Sequence, residues 1–409
     1  MSFTGIIAEY NPFHNGHRYQ IETIRQTRPN TIIVCAMSGS FTQRGEAAIL
    51  DKWTRAKLAV KGGVDLVVEL PAVYAAGSAE DFAFGGISLF KQMQLIDTVA
   101  FGTETADFSA LKAIAALITA TDTQLSLKKY LKEGLSYAAA LEKALNLEQT
   151  KKDILREPNN ILALEYLKAI EKTSADITAL PIKRHQAAYK DTTLQAEISS
   201  ASAIRHALYA QTCPDQLLQS AMPPAVYETL LAAKAQGLPD MNNLFQLLRY
   251  KLFSTPPAVL QQTAGINEGL ENRLQKAGKN STAYNDLITK AYSKRYPQAR
   301  IKRTLLYLLL QFTKKEHDTF LQTGPLYIRV LAFNNKGREL LHYLAHHGSL
   351  PIITKTSQFI SEANLTAADL NPAKKMLAYD CQATNLRSLC LPKAEPPMQD
   401  FLKSAAYLS

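Results

Sequence analysis

Two histidines three residues apart, His14 and His17, flank Gly16 in the run Tyr10-Asn11-Pro12-Phe13-His14-Asn15-Gly16-His17, directly after the apolar stretch Thr4 to Ala8. Imidazole N–H groups donate to phosphate oxygens, glycine lets an anion approach the backbone, and a helix start adds unpaired N–H groups and the positive end of a dipole. The chemistry such a cluster suits is transfer at phosphorus, where charge grows on oxygen and must be met by donors. Pro12 fixes a turn, and Asn11 can cap it with its side chain. Histidines that merely satisfy a turn are the competing use of the same residues. A second cluster, Ser200-Ala201-Ser202-Ala203-Ile204-Arg205, places hydroxyls at a helix start and a cation one turn in, with simple capping by Ser200 or Ser202 as its structural use.

What must position these groups is legible in the apolar runs. Thr4 to Ala8, Thr31 to Ala36, Asp65 to Leu70 and Thr98 to Phe101 alternate with the helical patterns Ile21 to Ile24, Trp53 to Val60 and Phe82 to Phe90. Short continuous apolar runs between helices read as strands buried on both faces, so the expected fold is α/β, a Rossmann-like doubly wound parallel sheet. Ligands of such sheets bind at the carboxyl ends of the strands near the point where strand order reverses. The candidate site is therefore Glu9 to His17, Ser38 to Glu46, Pro71 to Asp81 and Gly102 to Glu104. Asp51 is placed to cap a helix beginning at Lys52, and Lys52 and Arg55 either point toward that crevice or lie on the helix surface.

Ala106 to Leu147 and Ile161 to Ile170 read as a helical insertion before a last strand, Ile177 to Ile182. Residues 216–322 are almost all helix by periodicity, and a strand–helix–strand coda follows over 327–354. The expected division is an α/β domain over 1–210 that carries the candidate site, a basic helical domain over 211–325, and a small α/β C-terminal element over 326–409.

The chain has 409 residues, 46% hydrophobic and 20% charged, which is the composition of a folded globular protein. No apolar stretch nears the roughly 18 residues that cross a bilayer, and no basic leader opens the chain, so a cytoplasmic protein without a membrane partner is expected. Cys35, Cys213, Cys381 and Cys390 have no zinc spacing and read as reduced thiols, and no residue is expected to ligate a metal.

The formal charge of +10 is uneven: residues 1–210 carry 23 Lys and Arg against 22 Asp and Glu, residues 211–409 carry 23 against 14. Lys290, Lys294, Arg295, Arg300, Lys302 and Arg303 fall in one acid-free stretch interleaved with Tyr292 and Tyr296. A surplus confined to one half suits a polyphosphate partner, with a solvated helix face as the plain alternative.

The first motif resembles the fingerprint of the HxGH nucleotidyltransferase superfamily, Gly-x-Phe-Asp/Asn-Pro-x-His-x-Gly-His, with Ala8 in place of its glycine and Tyr10 in place of its aromatic. The Ser200–Arg205 stretch resembles the same superfamily's Ser-Ser-Thr-x-Ile-Arg triphosphate loop, with Ala201 and Ser202 departing from it. More closely, the chain resembles the bacterial tRNA(Met) cytidine acetate ligases in Ile6 to His17, Ser38-Gly39, Gln43-Arg44-Gly45-Glu46, Phe101-Gly102-Thr103-Glu104, Pro158-Asn159-Asn160-Ile161-Leu162 and Ile182-Lys183-Arg184. After Arg184 the family's Ala-x-Tyr-His-Asp stretch is preceded by a smaller residue, whereas this chain reads His185-Gln186-Ala187-Ala188-Tyr189-Lys190-Asp191.

The resemblance implies ATP-dependent activation of acetate as acetyl-adenylate, then acylation of N4 of the wobble cytidine of elongator tRNA(Met). It implies ATP contacts from Ile7, Ala8, Glu9, Tyr10, Asn11, Pro12, Phe13, Asn15, Gly16, Gln20, Gly102, Asn160, Arg184 and His185. Because acetate is already ionised, the catalytic residues expected are donors only: His14 and His17 on the α- and β-phosphates, and Arg205 with the Ser200 and Ser202 hydroxyls on the departing pyrophosphate, with Mg²⁺ on the phosphates. Arg44 and the basic stretch are the expected RNA contacts, and Glu46 either accepts a proton from N4 or pairs with Arg44. DNA is not an expected partner. A small-molecule adenylyltransferase is the alternative, and a non-catalytic nucleotide-responsive RNA binder a third reading.

Overall fold

The computed structural model describes residues 2–135, 137–146, 148–184, 199–210, 215–267 and 269–409. The apolar runs form five parallel strands, β1 (Phe3–Ala8), β2 (Ile32–Ser38), β3 (Leu66–Leu70), β4 (Thr98–Thr103) and β5 (Thr178–Lys183), in the order β5-β4-β1-β2-β3. Residues of β2 and β3 are buried throughout, as strands covered on both faces must be. Alternate side chains feed two cores. Ile7, Val34, Ala36 and Val68 pack with the helices Ala79–Met93 and Pro158–Thr173. Ile6, Ile33, Cys35 and Val67 pack with α1 (Asn15–Thr27) and α2 (Lys52–Lys61). The sheet is thus doubly wound, with strand order reversing at the β1–β4 boundary. Gly5 permits the close approach of the Ala79–Met93 helix, since a Cβ there would fall 2.5 Å from the Phe90 ring.

The C-terminal segment departs from the sequence reading. β6 (Ile328–Phe333) pairs antiparallel with β3, and β7 (Ile352–Ile353) and β8 (Ala406–Tyr407) pair with β6. What reads as a separate coda over 326–409 instead completes the first sheet. The helices between Asp215 and Thr323 are then an excursion between β5 and β6, and part of this block has a core of its own built from Leu248, Leu252, Leu274, Leu287, Ile301 and Leu305. Among the described residues no helix is long and apolar enough to cross a membrane.

Charge placed inside the fold explains the join. Lys52 at the start of α2 meets Glu69 of β3 at 2.8 Å and Asp400 at 2.7 Å, and Arg329 of β6 meets Glu69 at 3.1 Å and also binds Asp400. All four are buried. Burial alone would raise the Asp400 carboxyl, but Lys52 and Arg329 hold it well below the usual carboxylate range. Lys52 therefore does not reach the strand-end crevice. Asp51 does cap α2, accepting from Thr54 N at 3.1 Å.

Removing one member of a buried ionic group leaves its partners charged and unmatched, which costs about 3–5 kcal/mol. Lys52→Met is accordingly expected to lower the unfolding free energy by that order, read from urea denaturation; an unchanged midpoint would show the quartet to be dispensable.

Candidate active site

A cavity of about 220 Å³ opens at the carboxyl ends of β1 and β4, at the reversal point, between Ile7-Ala8 and Phe101-Gly102. His14, Gly16, His17, Arg184, Ser200, Ser202 and Arg205 all line it, as do Glu9, Tyr10, Asn11, Gln20 and Arg44. Residues nearly two hundred positions apart are thereby brought to one wall: Arg205 donates to the Asn11 carbonyl at 2.8 Å and lies 3.5 Å from the Ser202 hydroxyl.

The histidines are held by the backbone of the turn itself. His14 Nδ1 accepts from Gly16 N at 3.0 Å, and His17 Nδ1 accepts from His14 N at 3.2 Å, so the pair caps α1 reciprocally. With Nδ1 accepting in both rings, each neutral imidazole carries its proton on Nε2. The rings stack at 3.7 Å between centroids, and Tyr10 and Phe13 pack on His17. Burial, then the neighbouring His17 and the cations Arg184 and Arg205, holds His14 well below the usual imidazole range. Burial and Arg184 bring His17 down to about 3. Both rings are neutral donors at physiological pH.

The first-turn N–H groups that the motif offers to an anion are already engaged, Asn15 N with Ala221 O, Gly16 N with His14 and His17 N with His14 O. The imidazoles, Arg184, Arg205 and the serine hydroxyls are the donor side chains on the cavity wall. Ser200 also caps the helix Ala201–Tyr209 through Ala203 N at 3.1 Å, so capping and cavity lining coexist.

The loop after β2 is fixed from several sides. Arg55, fully buried, donates to the carbonyls of Glu9, Ser38, Gly39 and Leu50, so it is a strand-end clamp and not a crevice residue. Glu9 accepts from Gln43 N at 2.8 Å, and Asn11 accepts from Ile49 N at 2.8 Å rather than capping its own turn. On the far side, Lys302 meets Glu46 at 2.6 Å and Arg303 donates to Gln43 O at 3.3 Å. Gly45 takes φ +73°, and a Cβ there would lie 2.7 Å from the Arg303 backbone nitrogen.

Several predicted contacts stand off the cavity. Phe13 and Pro12 do not line it; Phe13 packs under Gly62, and Asn15 donates to Ser220 O at 2.7 Å. Asn160 is buried and receives Glu104 N and Thr105 N, whereas its neighbour Asn159 lines the cavity and accepts from Arg184 at 3.1 Å. His185 lies outside the described residues. The basic stretch divides: Lys302 and Arg303 serve the loop, Arg300 lies over the Tyr296 ring at 5.0 Å, Lys290 pairs with Asp286 at 2.8 Å, and Lys294 and Arg295 are exposed. Glu46 pairs with Lys302, whereas the sequence left it either as a proton acceptor or in a surface pair with Arg44. Tyr166, Leu162 and Phe82 also line the cavity unannounced, although Asn159, Leu162 and Tyr166 follow one helix face at intervals of three and four.

A histidine lowered by folding stabilises the fold fully above the unfolded pKa of about 6.5, and that contribution is lost as pH falls toward the folded value. In the nucleotide-free protein the His17 ring is therefore expected not to titrate between pH 8 and 5, read from its Cε1–H NMR resonance. A midpoint near 6.5 would contradict the buried, backbone-locked ring.

The sequence matches a family model described as HIGH Nucleotidyl Transferase over residues 1–400. A tRNA(Met) cytidine acetate ligase of Thermoanaerobacter sp. (strain X514) is 38% identical over 98% of this chain and 98% of its own. One of Halothermothrix orenii is 35% identical over 96% of each. Among solved structures, Thermotoga maritima TmcAL without ligand superposes with a TM-score of 0.91 at 30% identity, covering 100% of both chains. The same protein bound with alpha-thio ATP superposes at 0.89 and 29%, again over 100% of both.

Proposed function

From the premise that the chain belongs to the HIGH nucleotidyltransferases, and within them to the tRNA(Met) cytidine acetate ligases, we propose how its residues carry out the ligase reaction through acetyl-adenylate. The enzyme is an ATP-dependent ligase. The observation that carries the mechanism is the locked pair His14 and His17, two neutral Nε2–H donors beside Arg184 and Arg205 in the cavity at the strand ends.

In the first step an acetate oxygen attacks the α-phosphorus, the bond to the bridging oxygen breaks, and pyrophosphate leaves with that electron pair. Acetate needs no base, so the protein contributes placement and charge stabilisation. His14 and His17 hold the α- and β-phosphate oxygens, and Arg205 with the Ser200 and Ser202 hydroxyls holds the departing pyrophosphate. Ile7, Gly102, Gln20 and Arg184 border the space for the rest of the nucleotide. The lining residues include one carboxylate, Glu9, among several cations, so Mg²⁺ would be held chiefly by the phosphates of the MgATP substrate, with Glu9 the carboxylate available to it, and would supply charge neutralisation there.

In the second step the N4 lone pair of the wobble cytidine of elongator tRNA(Met) forms a bond to the acyl carbon. The carbon–oxygen bond to phosphate breaks, AMP leaves with its electrons, and one N4 proton is lost to water. The RNA backbone is assigned to Lys294 and Arg295, whose exposure on the helical excursion supports the reading, and to Arg44, which lines the cavity.

Pyrophosphate–ATP exchange without RNA tests the first step. It is expected to require acetate and to fall by about 10²-fold or more in His14→Ala and in His17→Ala. Exchange that ignores acetate but follows a phosphorylated small molecule would identify an ordinary adenylyltransferase. For Lys294→Glu/Arg295→Glu, filter binding of tRNA is expected to weaken at matched salt while exchange stays at the wild-type rate; unaltered binding would move the RNA surface elsewhere.

A further inference from the structure

A second cavity, about 340 Å³, lies where the helix Ala201–Tyr209 and the loop after β2 meet the helical excursion. It adjoins the nucleotide cavity at Ser202 and Arg205, which line both, and the turn Thr42–Ala47 borders each of them, Thr42, Gln43 and Arg44 the nucleotide cavity and Glu46 and Ala47 the second. We infer that this second cavity is the acceptor subsite, which receives the single cytosine base that is to be acylated. The inference rests on the ligase reading above and gives that reading a place for its second substrate.

The chemistry of the lining selects the base. Cytosine offers a donor at N4 and acceptors at N3 and O2, so a matching pocket needs an anionic or carbonyl acceptor beside neutral or cationic donors. Burial alone would raise the Glu46 carboxyl, but Lys302 at 2.6 Å, followed by Arg205 and Arg44, holds it below its usual range. A carboxylate so stabilised is a poor base and a good hydrogen-bond acceptor for an amino group. It orients N4 and does not deprotonate it.

The same lining supplies the donors. Tyr284 is 3% exposed, lines this cavity, and its hydroxyl has no hydrogen-bond partner among the described residues. A buried hydroxyl left unpaired costs free energy that a ligand acceptor would recover. Asn242 has its carboxamide oxygen occupied by Tyr284 N at 3.0 Å, which leaves its NH₂ as a donor. The Tyr209 ring, 53% exposed, is pinned by its hydroxyl to Pro239 O at 2.7 Å and offers a stacking face to an unstacked base. The carboxylates Asp240 and Glu46 are balanced by Arg205 and Lys302, so the lining carries no net formal charge, as suits an uncharged base.

Uracil reverses the pattern at position 4, presenting an acceptor to Glu46. The test uses full-length Tyr284→Phe and Glu46→Gln, each checked by thermal melting, with two assays. Acetate-dependent pyrophosphate–ATP exchange is expected to stay within about twofold of wild type in Tyr284→Phe, and single-turnover acetyl transfer to unmodified elongator tRNA(Met) transcript to fall by about tenfold or more in both variants, for Glu46→Gln after division by its own exchange rate. Anticodon stem-loops carrying U in place of the wobble C are expected to inhibit wild-type transfer poorly and Glu46→Gln at least about fivefold better, since an amide can donate to O4. Transfer at the wild-type rate in both variants, or an unchanged response to the U stem-loop, overturns the acceptor assignment while leaving the ligase reading intact. A wild-type protein with no acetate-dependent exchange overturns the ligase reading, and this inference with it.

Discussion

A ring of four buried charges, Lys52, Glu69, Arg329 and Asp400, ties the beginning of this chain to its end. None of the four can be satisfied within its own segment, so β6 has to dock on β3 and the final residues have to return to α2. That requirement turns the helical block into a loop-out with both ends on one sheet. Without it the block would hang from a single connection, and its basic surface would have no fixed bearing on the strand ends.

The same logic of charges spent on structure recurs around the cavity. Arg55 and Arg387 are buried and give their donors to main-chain carbonyls, Arg55 at the ends of β1 and β2 and Arg387 at Ala48 and Ile49. Carbonyls at strand ends lack ladder partners, and a guanidinium can satisfy several at once. The loop that borders the cavity is therefore braced by cations that do not themselves line it. Arg184 and Arg205, by contrast, keep guanidinium surface on the cavity, and their proximity helps to hold the histidines neutral.

Much of this was legible in the residues. The apolar runs marked β1 to β5, and the motif from Tyr10 to His17 lay where a doubly wound sheet puts its ligand. Less legible were contacts across long separations. A single sequence does not tell that Asn11 serves Ile49, that Asn159 rather than Asn160 turns to the cavity, or that Lys302 and Arg303 grip a loop 256 residues and more away. Charge counts treat every lysine and arginine as available for a partner. The fold decides which are consumed internally, and the acid-free stretch over 290–303 was divided by that decision. β6 and β7 are legible as strands and β8 is not, and the antiparallel pairing of β6 with β3 depends on buried charges that resemble surface residues in sequence.

The turn over residues 42–46 is fastened from two directions, by Glu9 on one side and by the backbone and side chains of 302–303 on the other. Gly45 leaves no slack between them. Such a seam constrains descent as well as geometry. A substitution on either bank changes the fit of the other, so the turn and the helix it rests on must diverge in step. The helical block cannot then be exchanged between relatives as an independent cassette, however similar the two sheets that would receive it.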